Sequence, residues 1–119
     1  MARTNSRVFM ESNFPDLTQY KSTTSRKWES SEEPWYRDNW WFKFHLEEVE
    51  ESEFVVFVGA LDYTNTNFKV FRVPSDYILS NVQNLDSTAK GWMNLYIHLE
   101  TYRDVRNKSG LPFGQFAVN

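Results

Sequence analysis

The chain has 119 residues, with 10 Phe, 6 Tyr and 5 Trp, no cysteine and a net charge of −3. That length suits one domain, 1–119, whose rings can fill a core without staples. The missing cysteine excludes disulfides, zinc–thiolate centres and thiol catalysis, and it points to a reducing cytoplasm.

No apolar run approaches the length of a membrane-spanning helix, so no membrane partner is expected. The opening residues Met1 to Arg7 lack the apolar core of a signal peptide. Charge is unevenly spread. Residues 1–46 hold 7 basic and 6 acidic side chains, and residues 63–119 hold 6 and 4. Residues 47–62 hold 6 acidic side chains and no basic one. The body is nearly neutral and carries one acidic knob. A dedicated nucleic-acid binder usually shows a basic excess instead.

In chain order, residues 1–16 are polar with isolated Phe9, Met10 and Phe14, and Pro15 disfavours helix before it. They read as a loosely ordered arm, or one docked by its aromatics. Leu17 to Thr24 alternates like a short strand. Residues 25–39 are polar with Trp28, Trp35 and Tyr36 set among them and Pro34 inside, which predicts a long loop. Trp40, Phe42, Phe44 and Leu46 then point one way, and Trp41, Lys43 and His45 the other. That two-residue period is a strand with one buried face.

The acidic run Glu47, Glu48, Glu50, Glu51 and Glu53 follows and reads as a hairpin tip. Phe54 to Val58 is apolar throughout, as in a central strand covered on both faces. Phe68 to Val73 is a third strand, closed by Pro74. Ser75 is placed to cap a helix over residues 75–85, with Tyr77, Ile78, Leu79, Val82 and Leu85 at helical spacing. Asp86 to Gly91 reads as a turn. Met93, Leu95, Ile97 and Leu99 form a fourth alternating strand. Tyr102 to Lys108 reads as a helical turn stopped by Gly110. The expected fold is α+β: a single, mainly antiparallel sheet of four to five strands with one or two helices on one face. The expected core includes Trp40, Phe42, Phe44, Val56, Phe57, Val58, Val70, Ile78, Leu79, Leu95 and Ile97.

Catalytic constellations are sparse. His45 and His98 are the only histidines, and without cysteine they are too few for an ordinary zinc site, so no metal is expected. No nucleophile elbow and no glycine-rich phosphate loop is present, so no cofactor is expected. Two surfaces remain. Glu47, Glu48, Glu50, Glu51 and Glu53 suit a basic partner protein, with Trp28 and Trp35 as buried anchors. Lys21, Arg26, Lys27 and Arg37, interleaved with tryptophans, suit a nucleic acid held by charge and stacking.

Gln19-Tyr20-Lys21-Ser22-Thr23-Thr24, then Arg26-Lys27-Trp28, Asp38-Asn39-Trp40-Trp41-Phe42 and Phe68 to Ser75, together resemble the second half of bacterial PD-(D/E)xK nuclease-like domains. The resemblance spans Leu17 to Asn81. It implies that Gln19 stands where that family places a metal-binding residue and Lys21 where it places the catalytic lysine. The family's earlier aspartate lies on a preceding strand that itself follows a helix; Asp16 is too close to Gln19 to lie on a separate strand, and Glu11 barely has the spacing, with only ten residues before it.

The first functional expectation is therefore a small cytoplasmic, non-catalytic protein-binding module. One version is a phage- or mobile-element inhibitor of a host nucleic-acid-handling defence complex, of the anti-CRISPR kind. The alternative is a truncated or oligomer-completed PD-(D/E)xK-like nuclease or nucleic-acid-binding domain.

Overall fold

The computed structural model describes residues 2–27, 38–106 and 109–119. It is α+β, but the strands form two three-stranded sheets in place of the single sheet expected. Strands β2 (Asn39–His45), β3 (Phe54–Ala60), β4 (Phe68–Pro74) and β6 (Trp92–His98) lie where the apolar pattern put them. Two short strands join them, β1 (Ser22–Ser25) and β5 (Asp86–Ser87). The first sheet has the order β1-β3-β4, with β1 parallel to β3. The second has the order β2-β6-β5 and is antiparallel throughout.

The division originates between β2 and β3. That acidic stretch is not a hairpin tip but a helix, α2 (Leu46–Glu50). Its Val49 is fully buried, and this one turn carries the chain from one sheet to the other. β2 pairs with β6, while β3 pairs with β1 and β4.

The main core lies between the sheets. Trp40, Phe42 and Phe44 of β2 and Met93, Leu95 and Ile97 of β6 face Val55, Phe57, Phe71 and Val73 of the first sheet. The opposite face of β3 and β4 presents Val56, Val58, Ala60, Phe68 and Val70 to a second cluster. Cover there comes from the N-terminal segment. Of the two expectations for it, a loose arm or one docked by its aromatics, it follows the second, and it holds helix α1 (Ala2–Asn13) and a 3-10 helix (Pro15–Gln19). Met10 and Leu17 are buried against the sheet, and Phe9 packs its ring 5.3 Å from that of Phe68. β3 is therefore apolar at every position because it is covered on both faces.

Other expectations change in detail. The strand expected from Leu17 begins at Ser22. The helix expected over 75–85 divides into α3 (Ser75–Leu79) and a 3-10 turn (Val82–Asn84). Leu79, expected in the core, is 37% exposed. Ser75 does not cap α3; Pro74 takes that place, and the buried Ser75 hydroxyl has no hydrogen-bond partner among the described residues. Instead of a helical turn after Tyr102, Arg103 and Asp104 form single bridges to Pro112 and Ile97. The tail seals the free edge of β4: Val118 N donates to Val70 O, and Val70 N donates to Asn119 Oδ1. A covered edge cannot recruit another strand.

Candidate functional site

The groove begins at the seam between the two sheets. β1 reads Ser-Thr-Thr-Ser and has no apolar signal of its own. On one side its backbone pairs with β3. On the other side hydroxyls replace a ladder: Thr23 Oγ1 donates to Lys43 O at 3.2 Å, and Trp41 N donates to Ser25 Oγ at 3.0 Å. Helix α1 is pinned above this seam by a 2.9 Å bond between the Ser6 and Thr24 hydroxyls. Together α1, the 3-10 helix and β1 enclose an open groove of about 770 Å³.

The lining is mostly polar, and four of its six charged members are cations. Arg7 comes from α1, Lys21 from the approach to β1, Arg26 from its end and Lys43 from β2, with Glu11 and Glu48 as the acidic members. Hydroxyls of Ser6, Thr18, Ser22, Thr23 and Thr24 also line it. These cations are not equivalent. Lys43 extends its ammonium over the Trp92 ring, 5.0 Å from the centroid. Lys27, Lys69, Arg72 and Arg106 likewise lie over Tyr63, Tyr102, Phe54 and Tyr96. That makes five cation–ring contacts among the described residues. Arg103 donates to Gly110 O at 2.9 Å. Among the described residues the side chains of Arg7 and Lys21 make no ion pair, hydrogen bond or ring contact, and both are exposed along the groove.

The candidates named from the sequence are thus separated. Lys21 and Arg26 come together, Lys27 lies over Tyr63, and Arg37 falls outside the described residues. Trp28 and Trp35 also fall outside them. Gln19 lies beyond the groove lining and donates its side-chain amide to Asp16 O at 2.8 Å. Glu47, Glu50, Glu51 and Glu53 are exposed on and after α2, and Glu48 is half-buried at the groove. None of the five makes an ion pair among the described residues. Arg7 was missed because α1 was not foreseen. The available signal was Ser6 and Met10 one turn apart, which places Arg7 beside the buried stripe.

Both histidines serve turns. His45 Nδ1 accepts from Glu47 N at 3.1 Å and caps α2. His98 Nδ1 accepts from Glu100 N and Thr101 N. Among the described residues no three His, Cys, Asp or Glu side chains gather as metal ligands.

The acid furthest from its ordinary behaviour lies outside the groove. Asp62 opens the β3–β4 connection. The Thr66 amide, first, and then the Thr66 hydroxyl hold its carboxyl well below the usual carboxylate range. The bonds are 2.8 Å each, with a third from Asn67 Nδ2 at 2.9 Å. The loop needs this anchor because Asn65 takes φ 57°, a left-handed conformation that side chains other than glycine adopt at a cost.

Comparison with protein-family models, with curated proteins and with solved structures finds no match to this chain.

Proposed function

We propose that the chain is a nucleic-acid-binding module that holds a phosphodiester backbone in the groove between α1 and β1 without cleaving it. One observation carries this reading: the Arg7 and Lys21 side chains have no ion pair, hydrogen bond or ring contact among the described residues and border the same hydroxyl-lined concavity. An unengaged cation attracts phosphate and releases condensed counterions on binding. The Ser22 hydroxyl beside Lys21, which makes no hydrogen bond among the described residues, donates to a phosphate oxygen, which sets position and not sequence. The groove volume lies within the range of ordinary ligand sites.

The alternative expectation from the sequence gains from this geometry. The protein-binding expectation rested on an acidic hairpin, which is a helical corner, and on Trp28 and Trp35, outside the described residues. The non-catalytic part of the proposal rests on Gln19. Hydrolysis through a bound metal needs ligands that hold the cation beside the scissile phosphate. Gln19, the residue the nuclease resemblance would use, lies outside the lining of the groove that holds Lys21.

A labelled single-stranded oligonucleotide, followed by fluorescence anisotropy, tests the proposal. Saturable binding is expected, weakened by Arg7→Glu with Lys21→Glu, and the oligonucleotide should stay intact with Mg²⁺ present. Cleavage that disappears in Lys21→Ala would overturn the non-catalytic part, and binding indifferent to both substitutions would overturn the site.

A further inference from the structure

A second surface lies on the outer face of the β2-β6-β5 sheet, where that sheet runs into α2. His45, the last residue of β2, stands opposite Trp92, the first of β6. Its ring meets the Trp92 indole edge-on at 4.9 Å. Nδ1 of His45 accepts from Glu47 N, so the ring proton sits on Nε2 and is donated to Lys90 O at 2.7 Å. Leu46 N donates to Gly91 O at 2.8 Å. Gly91 is required here: its φ is +90°, and a Cβ would stand 2.9 Å from His45 Cε1. Trp92, His45 and the start of α2 therefore form one block held by short contacts.

That block shows two chemistries to solvent. Trp92 is 39% exposed, and Trp41, further along the same face, is 37% exposed. Trp41 is held by its indole N–H, which donates to Asn94 Oδ1 at 3.1 Å. α2 starts at this block, where Glu47 N donates to His45, and it and the turn after it carry Glu47, Glu50, Glu51 and Glu53, all exposed and with no ion pair among the described residues. The Trp92 face already carries a cation, the ammonium of Lys43.

We propose that this block docks a lysine- and arginine-rich segment of a partner protein. This goes beyond the groove reading and uses a neighbouring surface, which meets the groove at Lys43. The acidic corner supplies charge complementarity and steers encounter. Trp92 supplies the anchor, since a half-exposed indole is the ring type most favoured at binding hot spots. Lys43 marks where the incoming charge sits. A guanidinium takes its place with advantage, because it is planar, less strongly hydrated and stacks on rings. The exposed carboxylates of α2, which starts where the face ends, repel phosphates, which favours a basic peptide over a nucleic acid here.

The test is an NMR titration of the full chain with a synthetic arginine-rich peptide, beside an uncharged peptide of equal length and a single-stranded oligonucleotide. The indole N–H of Trp92 and the amides of Glu47, Glu50 and Glu51 should shift together and saturate with the arginine-rich peptide only. Trp92→Ala should weaken that binding at least about tenfold, as loss of a hot-spot anchor does. Glu50→Lys with Glu51→Lys should weaken it by a similar factor and, being on the surface, leaves the fold intact. Lys21→Glu should leave peptide binding unchanged, so this proposal and the groove reading fail separately. Shifts confined to the glutamates and indifferent to Trp92→Ala would overturn the proposal. So would saturation at Trp92 by the oligonucleotide, or concentration-dependent shifts without peptide, which would assign the face to a second copy of the chain.

Discussion

The indole of Trp40 lies flat against the backbone of Gly59. A Cβ added at Gly59 would stand 2.4 Å from Trp40 Cε2. The same indole donates to Ala60 O at 2.8 Å and stacks on Tyr102 at 6.2 Å with an interplanar angle of 8°. Trp40 belongs to one sheet and Gly59 to the other, so this contact sets how closely the layers approach.

Gly59→Ala should destabilise the fold by about 1–3 kcal/mol or more, the cost of overpacking a filled core. Trp40→Phe should also destabilise, because it orphans the buried Ala60 carbonyl and leaves space. That space is where the methyl introduced by Gly59→Ala would go. The double variant should therefore lose less than the sum of the singles, with a coupling of about 0.5–3 kcal/mol. Urea denaturation of the four proteins measures this, and strict additivity would contradict the contact.

Phe57 is 1% exposed and sits among the rings of Phe42, Phe44 and Phe113 at 5.1, 5.3 and 6.3 Å. Phe57→Ala should cost about 3–5 kcal/mol. A loss under about 1 kcal/mol in urea denaturation would mean that the space between the sheets is not the main core.

β2 and β6 were legible because their alternation has a physical cause that survives in the sequence, and β3 because a strand covered on both faces is apolar throughout. Trp40, Phe42 and Phe44 must face a core, and Lys43 and His45 must not. What was illegible depends on long-range pairing. Nothing in Ser22 to Ser25 shows that this polar stretch lies parallel to β3 and bonds β2 through hydroxyls. Nothing in the acidic run shows that Val49 plugs a corner between two sheets, since a five-residue helix is too short for periodicity to reveal. The groove needed α1 in place before Arg7 and Lys21 could be seen together.

Asp62 gives a pH signature confined to its loop. Its carboxyl is lowered in the folded state, so the stabilisation is complete above the ordinary aspartate value and is lost as pH falls through the lower folded value. The Thr66 amide proton, bonded to Asp62 Oδ1, should titrate with a midpoint well below that of an unstructured aspartate. A midpoint in the ordinary range, or a Thr66 shift unchanged in Asp62→Asn, would contradict the bond.

The most direct measurement of the central claim is the salt dependence of oligonucleotide affinity. For single strands the logarithm of the binding constant falls with the logarithm of salt by roughly 0.7 per phosphate neutralised. Removing two phosphate contacts should flatten that slope by roughly 1.4. The account predicts this flattening, with weaker binding, in the chain carrying Arg7→Glu and Lys21→Glu. It predicts an unchanged slope in Lys90→Glu, whose side chain is no part of the groove lining. Equal slopes in all three proteins, or the same loss from Lys90→Glu as from the groove pair, would contradict it.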